Sequence, residues 1–292
     1  MLNELCNDAS LTKLLKGFIE EDVGTGDVTS MIVDDSRPVK AKIVCKEHAV
    51  VAGLEEVTCL FQLVNCRAES TVRDGSSVEP NTVIMFIHGS ARSILAVERT
   101  ALNILMRMSG IATCTRRYVE IAKSVNPNAR IASTRKTAPG LRLLDKKAVA
   151  LGGGYMHRLG LYDMVLIKDN HLAIVGSVGK AVRLARGLHG SRYRVEVEVR
   201  SLEDALEAVE NGADIIMLDN IAVDDVARIV GELKARGLRD KVMIEVSGGI
   251  NEDNIRDYAK LDVDIISIGR ITHSARAIDM SLEIPSQDTP MN

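Results

Sequence analysis

RVEVEVRSLEDALEAVENGADIIMLDN, residues 194–220, reads as a strand, a helix and a second strand. Valine alternates with glutamate through VEVEV, SLEDALEAVENGAD has helical apolar spacing, and IIMLDN is an apolar run that ends in charge. The alternation continues on either side. MVLIKDNH (164–171), VMIEVSGG (242–249) and IISIGR (265–270) are further apolar runs ending in charged or glycine clusters, and NEDNIRDYAKLDVD (251–264) is another helix-like stretch. Strands and helices alternating at this spacing predict a parallel sheet or a β/α barrel. Reaction centres of such folds lie where the strands finish, so the clusters point to an enzyme.

The chain has 292 residues, enough for two modest domains or one barrel with an appendage. A hydrophobic fraction of 46% and a charged fraction of 26% are ordinary for a globular protein. The net charge of −3 argues against a nucleic-acid partner, which needs a basic surface. Five cysteines, never spaced C-x-x-C, fit reduced thiols better than a disulfide framework or a zinc site. The opening residues lack a basic segment followed by an apolar core, and no apolar stretch approaches membrane-spanning length. A cytoplasmic protein without a membrane partner is expected.

Upstream of the alternation the pattern differs. Residues 10–21 have helical spacing with Ser10 as an N-cap, and DVGTGDVTS (22–30) is a polar loop. Short β-like runs follow at 39–46, 49–55, 66–72 and 82–89, with a turn at 74–81. Strands with little helix between them predict an antiparallel sheet. From Ser90 a helical face carries Ile94, Leu95, Ala101, Leu102, Leu105 and Met108; it is expected to break at Ser109-Gly110 and resume beyond. The expected division is therefore an N-terminal α+β unit, residues 1–105, rejoined by 274–285, and a β/α unit, residues 106–273.

The chemistry-bearing residues lie at the strand ends. Arg135 and Lys136 follow one strand, the glycine-rich GGGYMHRLGLYD (152–163) carries His157 and Arg158, and Lys168 ends another strand. Arginine suits carboxylate or phosphate bidentately and lysine acts as a point charge. Any one of them is most simply a surface ion-pairing residue; as a set they point to an anionic ligand. Glu196 and Glu198 share a sheet face directed into the barrel, where uncompensated carboxylates are costly. Glu196 and Glu245 are expected in a structural ion-pair network, while Glu198 and Asp219 lie closer to the strand ends. Ser247-Gly248-Gly249 and Gly269-Arg270, each before a helix, resemble phosphate loops. Arg99 and Asn103 form an i, i+4 pair that the pattern alone leaves unassigned.

In order, ERTALNIL, STRKTAPGLR, GGGYMHRLGLYDMVLIKDNH, VEVEV, MLDN, EVSGG and GR-x-THS resemble the quinolinate phosphoribosyltransferase family, from residue 22 to about 284. That resemblance implies an N-terminal α/β sandwich domain plus an incomplete, seven-stranded α/β barrel. It implies transfer of phosphoribosyl from phosphoribosyl pyrophosphate to quinolinate with decarboxylation, giving nicotinate mononucleotide in NAD biosynthesis. It assigns Arg135, His157, Arg158 and Lys168 to the quinolinate carboxylates. Lys136 falls between the substrates, beside Thr134, and Glu198 and Asp219 face the ribose. Lys136, Glu198 and Asp219 are thus the catalytic candidates. Ser247, Gly248, Gly249 and Gly269 match the phosphate loops, with Arg270 and His273 adjacent. Mg²⁺ is implied on the pyrophosphate, near Glu198 and Asp219 but without a direct side-chain ligand. Arg99 matches an arginine that enters the neighbouring subunit's site, so a homodimer is implied, with a hexamer as the larger assembly. Met156 and Arg270 depart from the usual pattern, the first replacing a polar residue and the second a small one.

Competing readings are a Schiff-base lyase using Lys136 or Lys168, a related protein associated with molybdenum uptake, and a metabolite-binding scaffold. The lyase leaves the other cations unused, and the Lys168-Asp169-Asn170-His171 run favours the phosphoribosyltransferase.

Overall fold

The computed structural model describes residues 9–35 and 38–285. In chain order the elements are α1 (Ala9–Val23), β1 (Pro38–Cys45), β2 (Ala49–Val50), α2 (Leu54–Leu63), β3 (Arg67–Ser70), β4 (Ser77–Val78), β5 (Thr82–Ser90) and α3 (Ala91–Lys123). Then follow β6 (Arg130–Ala132), α4 (Arg142–Leu151), β7 (Val165–Ile167), α5 (Asp169–Val175), α6 (Val178–His189), β8 (Val195–Val199), α7 (Leu202–Glu210) and β9 (Ile215–Asp219). The last are α8 (Val223–Ala235), β10 (Met243–Ser247), α9 (Ile255–Ala259), β11 (Ile265–Ser267), α10 (Arg270–His273) and β12 (Met280–Glu283). Two compact units divide within α3: Met1–Thr113 with Ala275–Asn292, and Cys114–Ser274. None of the helices described is long and apolar enough to cross a membrane.

The first unit is built on an antiparallel sheet of order β12-β1-β5-β3. Alternate residues of β1, Ala41, Ile43 and Cys45, are fully buried, as are Met85 and Ile87 of β5. Four sequence expectations fail here. The extended run at 49–55 stops after two residues, and α2 follows it, burying Val57, Leu60 and Phe61. The helix lacks a local start signal because its cap is remote. The Asp74 carboxylate accepts from the Leu54 and Glu55 N–H groups at 3.1 and 3.2 Å. The second is the predicted break at Ser109-Gly110, through which α3 runs unbroken. Gly110 is there for close approach: a Cβ would lie 2.1 Å from the Arg276 carbonyl oxygen. Ser109 Oγ accepts from Ala52 N–H at 3.0 Å, so its polarity is satisfied without opening the helix. Ser10 lies inside α1 rather than at its cap. Cys45, Cys66 and Cys114 are free thiols, whereas Cys59 is disulfide-bonded, against the expectation of reduced thiols throughout.

The second unit holds a parallel sheet of order β6-β11-β10-β9-β8-β7. The first strand in sequence pairs with the last, the order of a barrel wrapped round but not closed. Six strands form, not seven. The seventh position is a single parallel bridge from Tyr155 to Ala132. His157 then adopts a left-handed backbone, φ 54°, which turns the chain out of the sheet. Helices α6, α7 and α8 bury their apolar faces, through Val182, Ala205, Ala208, Val226, Ile229 and Leu233. Ser177 and Ser201 cap α6 and α7 by accepting from the N–H groups of Lys180 and Asp204.

Gly110 gives a test of sign. Alanine normally stabilises a helix relative to glycine. Gly231 of α8 has nothing within 4 Å of an added Cβ, so Gly231→Ala should stabilise by about 0.5–1 kcal/mol. Gly110→Ala should instead cost about 2 kcal/mol, because the colliding atom is backbone. Urea unfolding of both variants checks this; a gain at both positions would remove the close approach.

Candidate active site

A cavity of about 420 Å³ lies at the strand-end rim of the second unit, lined among others by Arg135, Arg158, Tyr162, Lys168, His171 and Tyr193. Arg135 follows β6, Arg158 follows the Tyr155 bridge, and Lys168 follows β7. Three cations predicted from separate segments are thus brought to one pocket. Arg158 is buried, and its guanidinium is held below its ordinary basicity by burial first and by the charge of Arg135 second. Arg135 Nε is buried and has no hydrogen-bond partner. A buried donor without an acceptor is costly, so this pocket is poised to take an anion.

Lys168 is the paired cation. Its ammonium contacts Glu198 Oε1, while the Asp169 N–H donates to Glu198 Oε2 at 3.2 Å. The Lys168 N–H donates to His171 Nδ1 at 2.9 Å, which leaves the other ring nitrogen of this pocket-lining histidine as the donor. A larger cavity of about 480 Å³ lies over the first unit's sheet, beside Lys40, Arg67, Phe86 and His88, and none of the candidate residues lines it.

Below the rim, His157, Glu196 and Glu245 form an interior cluster. His157 Nε2 lies 2.9 Å from Glu245 Oε2 and 3.4 Å from Glu196 Oε2. Both Glu196 oxygens and Glu245 Oε1 are buried without a hydrogen bond. Burial raises the Glu196 carboxyl well above its ordinary range, and the neighbouring Glu245 charge raises it further. Glu196 and Glu245 therefore belong to the interior network expected of them. His157 is a correction in part: it engages these acids and is not among the residues lining the rim cavity.

The glycine loops lie at the ends of neighbouring strands. Ser247 and Asp219 are register partners of β10 and β9, and the Asn220 N–H donates to the Ser247 carbonyl at 2.9 Å. Gly248 has φ +84°, and a Cβ there would lie 2.3 Å from Asn220 Oδ1, so the position admits only glycine without rearrangement. Gly249 also has positive φ. A Cβ on Gly269 would meet His273 Nε2 at 3.1 Å and Lys136 Cδ at 3.2 Å, so these three converge. Thr272 Oγ1 donates to the Lys136 carbonyl, and Thr134 Oγ1 accepts from the Lys136 N–H.

Two candidates stand outside these groups. Arg99 is exposed on α3 in the first unit, with Asn103 exposed one turn on. Arg270 is exposed on α10, and its charge acts on Cys114 and Tyr118 of α3. Met156 is half-exposed, and its carbonyl accepts from Ser133 Oγ at 3.0 Å. Tyr162, Arg142 and Lys146 were given no role from the sequence, and His171 was read only as part of the Lys168–His171 run. For Arg142 and Lys146 the available signal was a basic i, i+4 pair on a helix that otherwise buries Leu144, Ala148 and Val149.

Among the described residues, His157, Glu196 and Glu245 have ligand atoms within 4.8 Å of one another, a spacing suited to a metal ion. Mg²⁺ prefers one or two carboxylates with water and phosphate oxygens, so a closed interior site suits it poorly. Half-exposed Asp219 suits it better: one oxygen accepts from the Asn220 amide at 2.7 Å and the group lies at a strand end. Glu198 is already neutralised by Lys168.

A family model described as quinolinate phosphoribosyl transferase, C-terminal domain, matches residues 111–283, and its N-terminal counterpart matches residues 27–109. A probable carboxylating nicotinate-nucleotide pyrophosphorylase of Archaeoglobus fulgidus is 49% identical over 89% of this chain and 98% of its own length. The carboxylating nicotinate-nucleotide pyrophosphorylase of Rattus norvegicus is 37% identical over 99% of this chain and 96% of its own. The crystal structure of NadC from Streptococcus pyogenes superposes with a TM-score of 0.87 at 38% identity, covering 94% of this chain and 95% of that one.

The interior acids carry a stability signature. A carboxyl raised in the folded state contributes stability that is complete below its unfolded value, near 4.5, and is lost as pH rises through the folded value. Glu196→Gln mimics the protonated acid, so below that point it should cost less than about 1 kcal/mol. As pH rises the wild type should lose stability relative to the variant. Denaturation midpoints measured across pH decide it, and parallel curves would mean that folding does not shift Glu196.

Proposed function

This chain belongs to the quinolinate phosphoribosyltransferase family, and from that premise we propose how its site works. The reaction joins quinolinate to phosphoribosyl pyrophosphate, releasing pyrophosphate and carbon dioxide and forming nicotinate mononucleotide. The observation that carries the pocket assignment is the unpartnered, buried Arg135 Nε beside Arg158 and Lys168. A pyridine with two adjacent carboxylates supplies the negative charge and the acceptors this cavity lacks.

Arg135, Arg158 and Lys168 bind and orient the dicarboxylate, which removes rotational freedom from a bimolecular step. The Ser247-Gly248-Gly249 loop and Gly269 receive the phosphates, since both let backbone approach closely. Lys136, converging with Gly269 and His273, bridges the two substrates. The ring nitrogen attacks the ribose C1 as the C1–O bond to pyrophosphate breaks, and the electron pair leaves with pyrophosphate. Glu198 and Asp219 stabilise the positive charge that builds on the sugar. The pyridinium then accepts the electron pair released as the 2-carboxylate departs as carbon dioxide, and a proton replaces it at C2. No side-chain nucleophile is required.

Asp219 would be the carboxylate to hold Mg²⁺, which on the pyrophosphate would supply charge neutralisation of the leaving group. Arg99, exposed on α3, is assigned to the neighbouring subunit's site in a homodimer acting in the cytoplasm. For Lys168 the lyase alternative is disfavoured by its ion pair with Glu198.

The test is nicotinate mononucleotide formation from quinolinate, phosphoribosyl pyrophosphate and Mg²⁺, with nicotinate as the single-carboxylate control. Turnover of nicotinate at an equal rate would sink the dicarboxylate assignment. Lys136→Ala should lower kcat by about 10²–10³-fold while phosphoribosyl pyrophosphate still binds; normal turnover removes Lys136 from the reaction centre. Arg99→Ala and Lys168→Ala, each inactive alone, should recover up to about a quarter of wild-type turnover when mixed as dimers. Verified heterodimers without activity would exclude a shared site.

A further inference from the structure

Helix α4 carries two basic side chains one turn apart, and each bridges the same two segments. Arg142 Nε donates to Thr137 Oγ1 at 3.1 Å and its Nη1 to the Leu159 carbonyl at 3.3 Å. Lys146 Nζ donates to the Ser133 carbonyl at 3.5 Å and also to the Met156 carbonyl. Residues 133–137 carry Arg135 and Lys136; residues 156–159 carry His157 and Arg158. The two cross-links therefore bracket both arginines of the rim pocket, one at each end of the paired segments.

Lys146 is 1% exposed, and its ammonium donates to the carbonyls of Ser133 and Met156. A buried ammonium held by backbone carbonyls is expensive, and an apolar residue at that position on α4 would avoid the cost. What it secures is the spacing of two loops that Arg142 also bridges and that Ser133 Oγ ties directly to the Met156 carbonyl. The backbone link is slight, Ser133 N–H to the Tyr155 carbonyl and Tyr155 N–H to the Ile131 carbonyl. Beyond Tyr155 the sheet holds nothing in register.

We propose that Arg142 and Lys146 are positioning residues: α4 is a two-pronged brace that sets the separation of the arginine-bearing segments and so fits the pocket to a ring with two carboxylates. The inference rests on the reading of that pocket given above. Neither residue touches substrate; each acts through the backbone that carries Arg135 and Arg158.

The brace has a pH dependence whose sign separates it from simple stabilisation. Burial brings the Lys146 ammonium down to about 8, helped by the charges of Arg142 on its own helix and of Arg158 and Arg135 on the segments it joins; Asp163 opposes them. Below that pH the folded and unfolded chains both hold the proton. Between about 8 and the ordinary 10.5 only the unfolded chain holds it, so this group's contribution to stability rises with pH. The charge-assisted bonds to Ser133 and Met156 weaken over the same interval. Quinolinate affinity should therefore fall above pH 8 while the fold gains from this group.

The experiment is steady-state kinetics on the full chain, varying each substrate separately from pH 7 to 9.5, for wild type, Lys146→Met, Lys146→Arg and Arg142→Gln. Lys146→Met should raise KM for quinolinate by about 10–100-fold with KM for phosphoribosyl pyrophosphate within about 2-fold. Lys146→Arg should restore most of the affinity and carry the alkaline limb upward. Arg142→Gln and Lys146→Met should combine less than multiplicatively, since both hold one spacing. Amide exchange within 156–160 should quicken in Lys146→Met while β8 and β9 stay protected. If Lys146→Met does not fold, the Lys146→Arg pH profile and the Arg142→Gln kinetics decide. The brace is overturned by a folded Lys146→Met with unchanged quinolinate KM, by equal losses for both substrates, or by an alkaline limb that Lys146→Arg leaves in place. Wild-type turnover reads the pocket assignment by itself; were it absent, the exchange rates would still judge the brace.

Discussion

A parallel sheet that stops one strand short of closing is the constraint on which the site depends. Strand order runs from the Tyr155 bridge through β6, β11, β10, β9 and β8 to β7, so the opening falls between Tyr155 and β7. The chain must cross that opening, and it does so with residues 156–164, freed from the sheet by the left-handed His157. Arg158, Leu161, Tyr162 and Met164 of this crossing line the rim cavity, together with Val165 and Leu166 on the edge strand. A complete seventh strand would satisfy its own backbone and direct alternate side chains into a packed interior. The missing pairing leaves room for a ligand-sized cavity instead.

Charge is layered along the barrel axis within this frame. Two residues apart on β8, Glu196 is sealed in the interior and Glu198 reaches the rim, where Lys168 meets it. The interior acids are tolerable because burial favours the protonated form of Glu196 and His157 contacts both carboxyls. The rim then receives a mixed field, positive at Arg135 and Arg158 and negative at Glu198 and Asp219. That polarity suits a reaction in which an anionic ring meets a sugar carbon gaining positive charge.

The β/α alternation was legible because its signals are local. The valine–glutamate alternation of β8 and the Ser177 and Ser201 caps each lie within a few residues of what they determine. What escaped depends on distant partners. The cap of α2 comes from Asp74, about twenty residues on, and the glycine in α3 answers a carbonyl at Arg276. The number of strands turned on a single backbone conformation at His157, which residue type only weakly encodes. The rim cations could be read from their strand-end positions, but the inward turn of His157 could not, since it follows from the depth of Glu196 and Glu245. Arg142 and Lys146 gave no signal of their role in the sequence, because that role depends on two loops that only the fold brings together.

The means by which the cations are held is itself informative. A carboxylate hydrogen-bonded to Lys146 or Arg142 would neutralise much of the charge that an anionic substrate must meet, of which Asp163 already offsets part. Here a hydroxyl and backbone carbonyls, which carry no net charge, serve as acceptors. The local positive field thus survives the hydrogen bonding that fixes its geometry. Lys168 follows the other rule, being tied to Glu198. A dicarboxylate arriving at Lys168 must share it, and whatever it draws from the ammonium leaves Glu198 less neutralised. Binding of the first substrate would then strengthen the negative charge available to the ribose of the second, which couples the two sites through one ion pair.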